Sequence, residues 1–173
     1  PAVISFTSPR AWAFTLLGIH EYEHTHPLDQ ETQDMRAELV ARLIARWHEC
    51  ADDEWSWFEN SVTYDNARLS QALILSGHSV PDSQSLEIGL KSLRWLAEKQ
   101  TTPAGHFRPI GNNGFHEKNG NRADFDQQPV EAQAMVSACL AAHRITRDTY
   151  WQREARRAFE WFLGRNDLGL PLH

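Results

Sequence analysis

Glu59 and Asp126 are the residues of this sequence best suited to act as an acid–base pair. Glycosidic bonds are commonly made or broken between two carboxyl groups, one serving as acid and the other as base or nucleophile. Each of these two lies in a polar loop rather than on an amphipathic helix. In the first loop, residues 55–69, Trp55, Trp57, Phe58 and Tyr64 interleave with Glu59, Asp65, Asn66 and Arg68. A sugar presents apolar C–H faces and a rim of hydroxyls. Aromatic rings suit the faces, while carboxylates, amides and guanidinium groups suit the rim. The expected ligand contacts of this loop are Trp57, Tyr64, Asp65, Asn66 and Arg68. The competing reading makes the aromatics core and lets Asp65 or Asn66 cap the next helix.

The second loop runs from Gly105 to Glu131, with Gly111, Gly114 and Gly120 permitting sharp turns and close approach. Its expected contacts beside Asp126 are His106, Arg108, Asp124, Gln127, Gln128 and Glu131. The competing reading is again structural, with Asp126 capping the helix that Pro129 opens. Among the nine histidines, His24 and His26 stand two apart in a turn near His20, a spacing read as solvated surface rather than a metal site. HExxH, phosphate-loop and GxSxG patterns are absent from the sequence. No metal and no cofactor are expected.

Helices must position these loops. Ser8-Pro9 opens the first, which carries Trp12, Leu16, Ile19 and Tyr22. The second runs from about Asp29 to Cys50, with Met35, Leu39, Leu43 and Trp47 on one stripe and Arg36, Glu38, Arg42 and Arg46 off it. A third is expected from Asn66 to about Ser76, ended by Gly77. A fourth opens at Pro81-Asp82-Ser83 and carries Leu86, Leu90, Leu93, Trp95 and Leu96. The fifth opens at Pro129, and the sixth is capped by Asp148. Val3–Phe6 is the one short strand expected.

Superposing Ile74–Gln100 on Leu140–Asn166, a constant offset of 66, aligns Asp82 with Asp148, Leu93 with Phe159, Trp95 with Trp161 and Leu96 with Phe162. Asp34 and Trp47 repeat the same 13-residue interval. Three helical hairpins follow. A hairpin cannot bury both apolar sides alone, so neighbours must stack. The fold class expected is all-α, a single domain over 1–173.

The 173 residues are 41% hydrophobic and 23% charged, within globular norms. A formal charge of −6 with no basic block argues against nucleic acid. No apolar run nears the roughly 20 residues a bilayer demands, so no membrane partner is expected. No charged-then-apolar signal segment opens the sequence, and a cytoplasmic location is expected. Cys50 and Cys139 read as buried free thiols. The opening on Pro1 and the loop-like close at Asp167–His173 suggest a piece of a longer protein.

Trp57-Phe58-Glu59, followed by Tyr64-Asp65-Asn66-Ala67-Arg68-Leu69, resembles a signature of bacterial glycosyltransferase-associated (α/α)-toroid domains. Phe125-Asp126-Gln127-Gln128-Pro129 with Glu131-Ala132 is similar to the same group, as is Trp161-Phe162-Leu163-Gly164 with Asn166-Asp167. A looser likeness extends to six-hairpin domains of thioredoxin-linked proteins and sugar epimerase relatives. The resemblance implies helix hairpins arranged as part of an (α/α)6, six-hairpin glycosidase-like toroid, with three hairpins here where the group has six. It implies a carbohydrate ligand, and either glycan chemistry by paired carboxylates or a non-catalytic glycan-binding or scaffolding role beside a glycosyltransferase. A structural repeat that binds another protein is the remaining alternative. Apolar flanks left open by a half-ring imply self-association or the remainder of a longer chain.

Overall fold

Among the described residues, apolar positions at helical spacing close into six helices: α1 (Pro9–Glu23), α2 (Gln30–Cys50), α3 (Ala67–Ser79), α4 (Ser83–Lys99), α5 (Pro129–Thr146) and α6 (Thr149–Glu160). The computed structural model describes residues 5–26, 29–79 and 83–172. Two short strands, β1 (Ser61–Val62) and β2 (His116–Glu117), pair antiparallel with Ser61 opposite Glu117 and Val62 opposite His116. The helices pair as hairpins α1–α2, α3–α4 and α5–α6, and α3 lies at the centre against α1, α2, α4 and α5. One hydrophobic cluster runs through all six helices, with Leu16, Leu39, Leu43, Leu69, Leu73 and Leu93 at its heart. Each fully buried leucine side chain contributes about 1.5–3 kcal/mol to folding. No described helix is long and apolar enough to cross a membrane.

Several helix ends follow their local signals. Pro9 and Pro129 occupy first turns, where a missing N–H costs nothing. The Asp148 carboxylate accepts from the Tyr150 amide at 2.8 Å and caps α6. Ser8 stands at the N-cap of α1 without a side-chain cap bond. The expected opening at Pro81-Asp82 lies outside the described residues. So do Val3 and Ile4 of the expected strand, and Ser5 and Phe6 join no strand.

Three expectations need correction. Gly77 does not end α3, which continues to Ser79 with Gly77 buried. A mid-helix glycine costs only about 1 kcal/mol, which packing against α1, α4 and α5 offsets. Arg36 is not on the solvent side of α2. It is 5% exposed and paired with Glu23, so it fastens α2 to α1. Asp126 does not cap α5; Gln128 holds that position, without a side-chain cap bond.

Small residues set the α3–α4 approach. A Cβ on Gly89 would fall 2.8 Å from the Ile74 side chain and 2.9 Å from its backbone nitrogen. Nearby, the buried hydroxyls of Ser70 and Ser92 meet at 2.8 Å. Cys50 and Cys139 are free and buried, and burial pushes the Cys139 thiol well up from its ordinary value.

Candidate functional site

The β1–β2 pairing joins the two unusual loops, and hydrogen bonds carry the junction down to the helix starts. Arg10, in the first turn of α1, is 7% exposed. Its guanidinium donates to Glu59 Oε2 at 2.6 Å, to the Tyr64 carbonyl at 2.7 Å and to Asn66 Oδ1 at 3.0 Å. Asn66 directly precedes α3. Its amide N–H and its Nδ2 donate to the two oxygens of Glu131, at 3.2 and 2.8 Å, and Gln100 Nε2 adds a third bond at 3.0 Å. Glu131 lies in the first turn of α5. The N-termini of α1, α3 and α5 therefore gather at one end of the stack. Helix N-termini favour negative charge, and carboxylates stand at this end accordingly.

Burial raises the Glu131 carboxyl from its ordinary value, against the hydrogen bonds of Asn66 and Gln100. Burial likewise raises Asp65, against the charges of Arg68 and Arg10. Asp65 and Asp126 both adopt left-handed backbone, φ 50° and 61°. Such conformations are uncommon outside glycine and tolerated by Asp, and they concentrate at functional sites.

The second loop and the segment after α6 form a groove of about 610 Å³ lined by Arg108, Asp124, Phe125, Asp126, Trp161 and Asp167, among others. Phe125 is 77% exposed, with its ring bare to solvent. Asp167 is the polar centre of the groove wall. Arg108 grips it through Nε to Oδ2 at 2.9 Å and through its second terminal nitrogen to Oδ1 at 2.7 Å. Gln127 Nε2 donates to Oδ2 at 2.7 Å, and His106 Nε2 meets Oδ1 at 2.8 Å. Trp161 donates its indole N–H to Gln127 Oε1 at 3.1 Å, fixing that amide's orientation. Asp124 takes the other face of Arg108 and the end of Arg122, each at 3.2 Å. Comparison with family models, curated proteins and solved structures returns no match. Among the described residues no group of three or more His, Cys, Asp and Glu is arranged to hold a metal ion.

Burial alone would raise the Asp167 carboxyl, but the bonds from Arg108, His106 and Gln127 outweigh it and draw it down to about 2. A depressed carboxyl stabilises the fold fully above its ordinary range and loses that contribution as pH falls through the depressed value. Asp167→Asn should therefore shrink the loss of stability between about pH 4 and pH 2, measured as unfolding midpoint against pH for both proteins. Identical acid limbs would refute the pinning role.

The expected site residues thus divide into three groups. His106, Arg108, Gln127 and Asp124 converge around Asp167 and the groove, with Asp126 and its partner Gln128 on the edge. Tyr64, Asp65, Arg68 and Glu59 cluster around Arg10 and α3. Tyr64 is half-exposed beneath the Arg10 guanidinium, 4.9 Å from its ring centre, and Arg68 bridges Gln71 and Gln133. Trp57, Asn66 and Glu131 are interior, at 0%, 0% and 1% exposure. Their expected ligand contact is corrected accordingly. Trp57 stacks on Trp95 at 5.9 Å and meets Phe58 edge-on, while the other two tie helices together. Glu59 and Asp126 share no hydrogen-bond partner. Glu59 is held by Arg10, and the Asp126 side chain accepts, among the described residues, only from Gln128 Nε2 at 3.2 Å.

Arg10, Phe125, Trp161 and Asp167 are the residues that reasoning from the sequence passed over as contacts. Arg10 had a signal: it is a lone cation among Pro9, Ala11, Trp12 and Ala13 at a helix start. Asp167 lies 59 to 61 positions from its Arg108 and His106 partners, a separation that no local pattern encodes.

Proposed function

We propose that this chain is a carbohydrate-active domain of the (α/α)-toroid type whose groove seats a glycan. The groove itself carries the reading: a bare Phe125 face stands beside Asp124, Asp126, Arg108 and Asp167 in a concavity large enough for a small saccharide. Apolar surface with a few converging polar groups is the usual make-up of a small-molecule site. A C–H face would stack on Phe125, and hydroxyls would bond to the carboxylates and guanidinium around it. Stacked hairpins with α1, α3 and α5 sharing one end, and the motif resemblance at 57–69, 125–132 and 161–167, support the same reading.

Calorimetry with a panel of oligosaccharides tests it. At least one member should bind the native protein, and Phe125→Ala should weaken that binding about tenfold, the roughly 1.4 kcal/mol of a lost aromatic contact. Its unfolding midpoint should stay near the native one, because the ring is solvated. A panel with no binder, or an unaffected variant, would overturn the assignment.

One observation favours chemistry as well as binding. Asp126 is exposed on the groove edge with no cationic partner within 4 Å among the described residues, so a bound ligand can reach its carboxylate. The expected partner Glu59 is held by Arg10 and does not line the groove, so under this reading Asp126 is the acid–base candidate there, and Asp126→Asn abolishes turnover of a glycan that the native protein cleaves or builds. Turnover unchanged in Asp126→Asn would reject that role, and binding without any turnover would assign a non-catalytic module.

A further inference from the structure

The grip on Asp167 is a complete carboxylate receptor. Arg108 offers the edge formed by Nε and one terminal nitrogen, which makes two parallel bonds to the two carboxylate oxygens at 2.9 and 2.7 Å. This forked geometry is specific for carboxylates and phosphates. Gln127 and His106 complete it from either side. His106 is itself held by Thr102, whose hydroxyl lies 3.1 Å from Nδ1. The remaining face of Arg108 is occupied by Asp124, so the receptor edge keeps its orientation whatever fills it. All three receptor residues belong to the second loop, whereas the carboxylate that fills it arrives on a different segment.

That segment, 163–172, is a strap with few apolar anchors. Leu163, Leu168, Leu170 and Leu172 are 57%, 72%, 60% and 41% exposed. Gly164 and Gly169 bracket its tip with φ of +99° and +66°. Its shape is kept by polar bonds of its own, from Asn166 to the Trp161 and Leu170 carbonyls at 2.8 Å each, and by the Leu172 amide on the Phe162 carbonyl at 2.8 Å. Asp167, Leu168 and Leu172 form one wall of the groove. A loop carboxylate thus occupies a receptor that opens onto the proposed ligand site.

We propose that His106, Arg108 and Gln127 form a carboxylate subsite that Asp167 fills from the strap until a uronic-acid residue of a glycan takes its place. The inference rests on the groove reading above and narrows it to acidic saccharides. An intramolecular carboxylate competes at millimolar effective concentration, so a free uronate monosaccharide displaces it weakly and an oligouronate, anchored also on Phe125, displaces it well.

Saccharide affinity, amide exchange and thermal unfolding test this. In the native protein, an oligogalacturonate should bind more tightly than its neutral counterpart and should speed amide exchange across 163–172. In Asp167→Ala the receptor is vacant. Oligogalacturonate affinity should then rise about tenfold, neutral oligosaccharide affinity should not rise with it because a groove carboxylate has been removed, and acetate or glucuronate should raise the variant's unfolding midpoint above that seen in chloride at equal ionic strength. Unchanged or weaker oligogalacturonate binding in the variant, with strap exchange unaffected in the native protein, would overturn the proposal and make Asp167 a fixed wall of the groove. Neutral saccharides binding the native protein alone would retain the groove reading and reject the acidic class. Rescue of the variant by acetate with no oligosaccharide bound would retain the carboxylate receptor and reject the groove.

Discussion

Glu131→Ala is expected to lower the unfolding free energy by about 3 kcal/mol or more, because three buried neutral donors lose their acceptor. Three donors, the Asn66 N–H, Asn66 Nδ2 and Gln100 Nε2, would be left in a dry interior without their acceptor. Each such orphan costs about 1–3 kcal/mol. For a domain of this size the unfolding midpoint should fall by roughly 10 °C, measured by calorimetry. Glu131→Gln keeps an acceptor and should cost far less. It should also alter the pH profile in a defined sense. A carboxyl raised by burial contributes its stability below its ordinary range and loses it as pH rises through the folded-state value. The glutamine variant should therefore show a shallower decline of stability on the alkaline side of about pH 4.3. An alanine variant within 1 kcal/mol of native would mean that solvent or a neighbour satisfies the three donors.

Gly111→Ala is the second large effect expected. A Cβ there would lie 1.7 Å from the Phe125 carbonyl oxygen and 2.8 Å from the Phe125 nitrogen. Those are backbone atoms, and the neighbourhood is cross-linked by Gly111 N–H to the Ala123 carbonyl at 2.9 Å and Asn112 N–H to the Asp126 carbonyl at 3.0 Å. The loop segment carrying Phe125 and Asp126 must move as a unit. We expect a stability loss of about 1–3 kcal/mol, as for other overpacked sites, and complete loss of saccharide binding at the groove. Gly18→Ala is the control: nothing stands within 4 Å of its Cβ position on α1, and it should be neutral or slightly stabilising. A Gly111→Ala protein that binds saccharide like the native one would show that the groove does not depend on this contact.

The sequence carries the helices more fully than the site. Pro9, Pro129 and Asp148 mark three helix starts because each satisfies a backbone requirement on the spot. Trp95 and Trp161, aligned by the internal repeat, are 9% and 4% exposed and so play like roles, whereas Leu93 is fully buried and its counterpart Phe159 is 53% exposed. Gly77 and Arg36 mislead because tertiary packing overrides a local preference: one is enclosed within α3, the other neutralised by Glu23. Trp57 and Phe125 illustrate the limit at the site. Both are aromatics in polar loops, and only the stacking of Trp95 on the first and the lack of any cover on the second separate core from groove. The Asp167 receptor is equally illegible, since its specificity lies in the mutual angle of side chains from three separate stretches of chain.

Cys50 and Cys139 are both reduced and nearly inaccessible, at 5% and 0% exposure. A thiol in that state reacts with an alkylating reagent only when the surrounding helices come apart. The two sulfurs are thus built-in clocks, one at the end of α2 and one in the middle of α5. Labelling that proceeds at one common rate reports that both ends of the molecule open together, while unequal rates would divide it into units that breathe separately.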